Sequence, residues 1–223
     1  MRALQKETEL GGRKDILVTG LDVTQPQSIT DAIASRLKEF GKIDVLLNNA
    51  GYGAYGPLEA FPMDRIRRQF DTNVIGLRET TKAVLPHFRK QGHGTIVNMS
   101  SIGGQMTFPL GALYHGTHFA VEGISASLRF ELGAAGIKVK IVEPGMITTD
   151  CCGRSFDFVN DETMSEYQPV VQALFARWSG EGAANCASSP KRCCKGDPHR
   201  SHGRNRYLAI PRGRPCNPAA EQP

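Results

Sequence analysis

The chain of 223 residues carries 27 lysines and arginines against 22 aspartates and glutamates, with 40% hydrophobic and 22% charged residues. That length can bury a full-sized core in one domain, and the composition is ordinary for a soluble globular protein. No apolar run reaches 18 residues, so no membrane span is expected, and "MRALQKETELGGRKD" is too polar for a secretory signal, so a cytoplasmic setting is expected.

Charge and cysteine are unevenly placed. Residues 180–223 hold eight basic and three acidic residues, which leaves 1–179 neutral, and they hold Cys186, Cys193, Cys194 and Cys216 of the six cysteines. A basic tail can meet nucleic acid, but these charges lack the interleaved aromatics that base stacking needs, so no nucleic-acid partner is expected. Cys193, Cys194, His199 and His202 match no standard zinc spacing, so no metal is expected either.

In chain order, "DILVTGLDV" (15–23) is a short apolar run ending at Asp22, and "SITDAIASRLKEF" (28–40) has helical spacing behind a Ser28 cap. "KIDVLLNNAG" (42–51) predicts a strand running into a glycine turn. Residues 64–91 predict one long helix with Ile66, Phe70, Val74 and Leu77 on a stripe. "GTIVNMSS" (94–101) predicts a strand, 112–134 a helix, "IKVKIVEPG" (137–145) a strand, and 161–178 a further helix. Beyond 179 only "RYLAIP" (206–211) reads as a strand. Strands alternating with helices predict a parallel sheet with helices on both faces, and runs such as Val45-Leu46-Leu47 suit a sheet buried on both sides. The division is a domain over 1–178 and an irregular basic, Cys/Pro-rich tail over 179–223.

In such a fold ligands bind beyond the carboxyl ends of the strands. Asp22, Asn49 to Gly51, Ser101 and Pro144-Gly145 all follow predicted strand ends. Reducing a carbonyl needs a proton donor at the oxygen, a second hydrogen bond to hold it, and a hydride source. Tyr114 could be the acid and Ser101 the second donor. Taken singly, Ser101 is a turn residue, Tyr114 a half-buried aromatic and Asn73 a hydrogen-bonded core amide.

Together, "NNAG" (48–51), "NVIG" (73–76), "NMSS" (98–101), Tyr114 and "EPGMITTD" (143–150) resemble the short-chain dehydrogenase/reductase family over about 16–150. The resemblance implies a Rossmann-like doubly wound α/β fold and NAD- or NADP-dependent interconversion of an alcohol and a carbonyl. By motif position it makes Tyr114 the catalytic acid/base, Ser101 the residue that orients the substrate oxygen, and Asn73 the anchor of a proton-relay water. Asp22 and Val23 match adenine contacts; Asn49, Ala50 and Gly51 match the stretch along the cofactor, followed by Pro144 and Gly145; Ile147 and Thr149 match nicotinamide carboxamide contacts. It also implies a homo-oligomer formed through the helices at 64–91 and 112–134. Apolar "GYGAYGPLEAF" (51–61) and "QMTFPL" (105–110) favour a lipophilic substrate.

Two departures stand out. The family reads Tyr, three residues, Lys; this sequence reads "YHGTH", with His118 at the lysine position. A lysine there lowers the tyrosine pKa and holds the cofactor ribose, whereas histidine is mostly neutral at pH 7. His118 as a lost cation is the leading reading; His118 as a substitute acid/base, with His115 in reserve, is the other. No "TGxxxGxG" phosphate turn occurs in the 223 residues, so the sheet is expected to lack its first βαβ unit, with 15–22 pairing directly onto 43–48. These departures leave two readings, an oxidoreductase or a catalytically impaired fragment that acts only as a binding or dimerisation partner.

Overall fold

The computed structural model describes residues 16–147 and 155–179. In chain order its elements are α1 (Pro26–Phe40), β1 (Val45–Asn48), β2 (Gly53–Tyr55), α2 (Met63–Phe70), α3 (Gly76–Gln91), β3 (Gly94–Met99), α4 (Ala112–Gly133), β4 (Ile137–Val142), β5 (Phe156–Phe158) and α5 (Gln168–Ser179). Strands β1, β3 and β4 form a parallel sheet in the order β1-β3-β4, and β2 and β5 form a separate parallel pair. The parallel α/β arrangement is the one the apolar strand runs predict.

The sheet's residues alternate in fate as strand geometry requires. One face carries Leu46, Ile96 and Val139 in register, and there the cluster of Val84 and Phe88 from α3, Leu132 from α4, Ile137 and partly buried Ile33 from α1 closes over it. Phe88 and Ile96 are fully buried, and a Cβ on Gly94 would sit 2.3 Å from the Phe88 ring, so only glycine fits where β3 begins. The opposite face carries Val45 and Leu47, 57% and 56% exposed. Among the described residues, α1, α3 and α4 all contribute side chains to the cluster on the first face, and the fold is the expected Rossmann-like α/β one.

The proposed pairing of 15–22 with 43–48 is corrected. Residues 16–22 form no strand, and β1 pairs only with β3 among the described residues. Local hydrogen bonds take the chain instead. Asp22 Oδ1 accepts from Thr24 N at 2.9 Å and Thr24 Oγ1 at 2.7 Å, and Asp22 N donates to Ser28 Oγ at 2.9 Å. That last bond uses the hydroxyl expected to cap the helix; Pro26 starts α1 earlier, with its ring preset for the first turn. Gly41, at φ 73°, ends it in the left-handed conformation.

The long helix at 64–91 exists as α2 and α3 joined by a π-helical turn over Asp71–Ile75. The helix at 161–178 shortens to α5, preceded by a 3-10 turn at Ser165–Tyr167. No helix of the described residues is long and apolar enough to cross a membrane. The tail, with the strand predicted at 206–211 and its cysteines and histidines, lies outside the described residues, as does Thr149.

Candidate active site

A buried belt of amides and hydroxyls fixes the strand ends. Asn48 Nδ2 donates to Thr81 Oγ1 on α3 at 2.9 Å and to Asn98 Oδ1 at 2.8 Å; Asn98 Nδ2 donates to Ser125 Oγ on α4 at 2.8 Å. Ser125 Oγ in turn donates a hydrogen bond to Val121 O at 2.6 Å. Each of these polar side chains is buried and satisfied, so the belt ties both helices to β1 and β3 just before the chain leaves the sheet.

Beyond β3, Ser101 caps a 3-10 turn over Ile102–Gly104, its Oγ accepting the Gly103 amide at 3.0 Å. That leaves the hydroxyl proton to be donated elsewhere. The same turn lies against Tyr114 on α4: a Cβ on Gly103 would sit 2.9 Å from Tyr114 Cε1. Glycine at 103 is what lets the Ser101 turn and the tyrosine ring approach. Beyond β4, Pro144 O accepts Ile102 N at 2.9 Å, which brings Pro144 and Gly145 to the same turn. Ile147 is half-buried a few residues on.

Beyond β1, Asn49, Ala50 and Gly51 are exposed. Their turn is held by Asn73, 5% exposed in the π-helical turn, whose Oδ1 accepts Tyr52 N at 3.1 Å and whose Nδ2 donates to Tyr52 O at 2.9 Å and to Thr117 Oγ1 at 3.2 Å. Gln69 adds a second donor to Tyr52 O at 2.9 Å, and Thr117 Oγ1 donates to Tyr114 O at 2.8 Å. Asn73 thus couples the "NNAG" turn to the tyrosine helix; π turns of this kind concentrate at functional sites. A Cβ on Gly51 would meet Asn73 Oδ1 at 3.3 Å.

Asp22 stands apart from this group in an exposed turn, its carboxyl held below the usual range by the Thr24 hydrogen bonds. Val23 packs on Gly76, where a Cβ would lie 2.7 Å from Val23 Cγ2, so the glycine of "NVIG" exists to seat this loop.

The two histidines beside Tyr114 differ. His118, centroid 4.4 Å from the Tyr114 ring, is driven down to a pKa of about 4 by burial and, secondarily, by His115. It is neutral at physiological pH and supplies no cation. Its Nδ1 is buried with no hydrogen-bond partner among the described residues, an atom that a ligand hydroxyl would satisfy. The residues present therefore fit the nicotinamide and ribose end of a dinucleotide in hydrogen-bonding capacity but not in charge. His115, 3% exposed, is not a spare acid/base: Nε2 accepts Phe108 N at 2.8 Å and Nδ1 bonds Gly103 O at 3.0 Å.

An aromatic wall that periodicity does not reveal stands over Tyr114. Tyr55 of β2 stacks on Tyr114 at 5.1 Å and on Phe156 of β5 at 5.6 Å, with Trp178 of α5 edge-on to Tyr55 at 5.5 Å. The strands that carry it are three residues each, too short for a periodicity signal, although the aromatics in "GYGAYG" and "SFDF" were visible.

The short chain dehydrogenase family profile matches residues 1–159. An uncharacterised oxidoreductase of Schizosaccharomyces pombe is 49% identical over 150 residues, covering 67% of this chain and 64% of that protein. A 3-ketodihydrosphingosine reductase of Bacteroides thetaiotaomicron is 41% identical over 145 residues, covering 65% and 53%. Among solved structures, ElxO with NADP bound superposes with a TM-score of 0.64 at 28% identity, covering 85% of this chain and 74% of that one. The chain thus spans less than two thirds of the length of either of these two relatives.

Proposed function

The chain belongs to the short-chain dehydrogenase family, and on that premise we propose that it interconverts an alcohol and a carbonyl with NAD or NADP, with Tyr114 as acid/base. The observation that carries this reading is the close approach of the Ser101 turn to the Tyr114 ring, possible only because residue 103 is glycine. In the reducing direction, Ser101 donates its hydroxyl proton in a hydrogen bond to the carbonyl oxygen, and Tyr114 transfers its phenolic proton to that oxygen. In the oxidising direction Tyr114 takes the proton back. A nicotinamide cofactor, when bound, exchanges a hydride with the substrate carbon. Asn73 holds the turn after β1 through its bonds to Tyr52 and would anchor the water that relays a proton to Tyr114.

Asp22 and Val23 would meet the adenine, Asn49, Ala50 and Gly51 the length of the cofactor with Pro144 and Gly145 opposite, and Ile147 and Thr149 the carboxamide. His118 Nδ1 would meet a ribose hydroxyl. A lipophilic substrate is supported by the aromatic wall, by half-exposed Met106 and Phe108 in the turn before α4, and by the sphingoid ketone in one relative's name. Ile75, Phe119 and Phe130, at 41%, 47% and 87% exposure, support a homo-oligomer through the α2–α3 and α4 surfaces. A cytoplasmic setting goes with the same reading.

The second reading is a binding partner without turnover, and the neutral His118 favours it. Cofactor titration followed by NAD(P)H fluorescence decides between them. Saturable binding with slow, Tyr114-dependent turnover supports the oxidoreductase; no binding at millimolar cofactor ends that reading.

A further inference from the structure

We propose that His115 is a positioning residue whose neutral ring staples both ends of the 103–108 segment to helix α4 and so sets Ser101 against Tyr114. The kinetic part of this inference rests on the oxidoreductase reading; the structural part does not.

The hydrogen bonds define the ring's state. Phe108 N can only donate, so Nε2, 2.8 Å away, must be the unprotonated nitrogen. Gly103 O can only accept, so the proton belongs on Nδ1, 3.0 Å away. Both nitrogens are used, and the ring is excluded from water. An imidazolium would put two donors face to face at Phe108, and the Nε2–H tautomer would fail at both contacts.

The staple reaches the catalytic serine through one residue. Gly103 gives its carbonyl to His115 and its amide to Ser101 Oγ, so the same peptide segment is held from both sides. The ring also leaves no room for side chains around it. A Cβ on Gly103 would lie 2.8 Å from Nδ1, and one on Gly111 2.6 Å from Nε2. Just beyond the segment the backbone is strained: Leu110 holds φ 61° without being glycine, and its carbonyl accepts Gly56 N at 2.8 Å. A non-glycine residue in that region persists only where its surroundings over-determine it. The Phe108 contact, two residues earlier, is one such constraint. The ring stands edge-on to Tyr114 at 5.5 Å and to Tyr55 at 6.4 Å, so it supports the tyrosine without touching its place of reaction.

The test uses the full chain labelled with [15N]histidine, the His115 signals being assigned by their loss in His115→Gln. The expected spectrum has Nδ1 protonated and Nε2 unprotonated, in the unmodified chain and in Tyr114→Phe alike. Exchange of the Phe108 amide is expected to speed up about tenfold in His115→Ala and to recover in His115→Gln, whose side-chain carbonyl can accept the same proton. In kinetics, His115→Ala is expected to lower kcat by about 10–100-fold with cofactor KM unchanged, because positioning is lost and the cofactor contacts are not. An Nε2-protonated ring, or a Phe108 amide equally slow in His115→Ala, overturns the proposal. So does a kcat that His115→Ala leaves unchanged. A chain without turnover would sink the oxidoreductase reading, and the tautomer and exchange results would still decide this one.

Discussion

His115 and His118 stand three residues apart on α4 and flank the same tyrosine, His115 buried and His118 half-buried, yet the fold treats them oppositely. His115 has a partner for each ring nitrogen, and its neighbours at 103 and 111 are glycines that make room for it. His118 has a buried Nδ1 with no partner among the described residues and a pKa near 4. A partnered polar group is part of the architecture, whereas an orphaned one marks either a ligand position or a replacement that the surroundings do not accommodate. The turn that carries Ser101 is thus held by satisfied hydrogen bonds against Tyr114, and the position where the family carries a lysine holds an unpartnered ring nitrogen.

The largest effect tests the group that both rings flank. Tyr114→Phe is expected to lower kcat by about 10²–10⁴-fold while leaving NAD(P)H titration unchanged, since only the proton transfer is removed. Equal turnover in the variant would mean that neither histidine borders a catalytic group. Next, Asn73→Ala removes three hydrogen bonds from a buried amide and should cost about 2–4 kcal/mol in urea unfolding. A cost below about 1 kcal/mol would show that the "NNAG" turn is held by other means and that satisfied groups are not what sets this half apart.

A smaller effect sharpens the contrast through pH. The folded pKa of His118 lies below its ordinary value, so the unfolded chain binds the proton more tightly and stability rises with pH between about 4 and 6.5. Lowering the pH from 7 to 4.5 at fixed temperature should cost up to about 2–3 kcal/mol from this group alone, a loss that His118→Gln removes. Parallel stability profiles for parent and variant would mean that the ring is not held neutral by burial.

Much of this was legible in the sequence. β1, β3 and β4 are apolar runs long enough to read, and α1 and α4 have helical spacing between turn residues. The turn glycines and the order of the motifs singled out Ser101, Tyr114 and Asn73 as candidates. Residues 16–22 misled because an apolar run specifies a strand only when an edge captures it, and here Asp22 turns the chain locally into α1. β2 and β5 are defined by pairing across about a hundred residues, and neither has a period of its own. The π turn at 71–75 has no composition signal. The sequence made His118 a weak cation; only packing shows that it is no cation at all. It offered His115 as a reserve acid/base, and nothing short of its two backbone partners could reveal the staple.

On the oxidoreductase reading, Ser101 and Tyr114 keep their proton-donating roles while His118 leaves the site without the family's cation. His118→Lys tests it most directly, by steady-state kcat at pH 7 with saturating NADPH and a lipophilic ketone. A rise of about tenfold or more is expected, one pKa unit of phenolate stabilisation being worth 1.36 kcal/mol. An unchanged or lower kcat in a folded variant would contradict it.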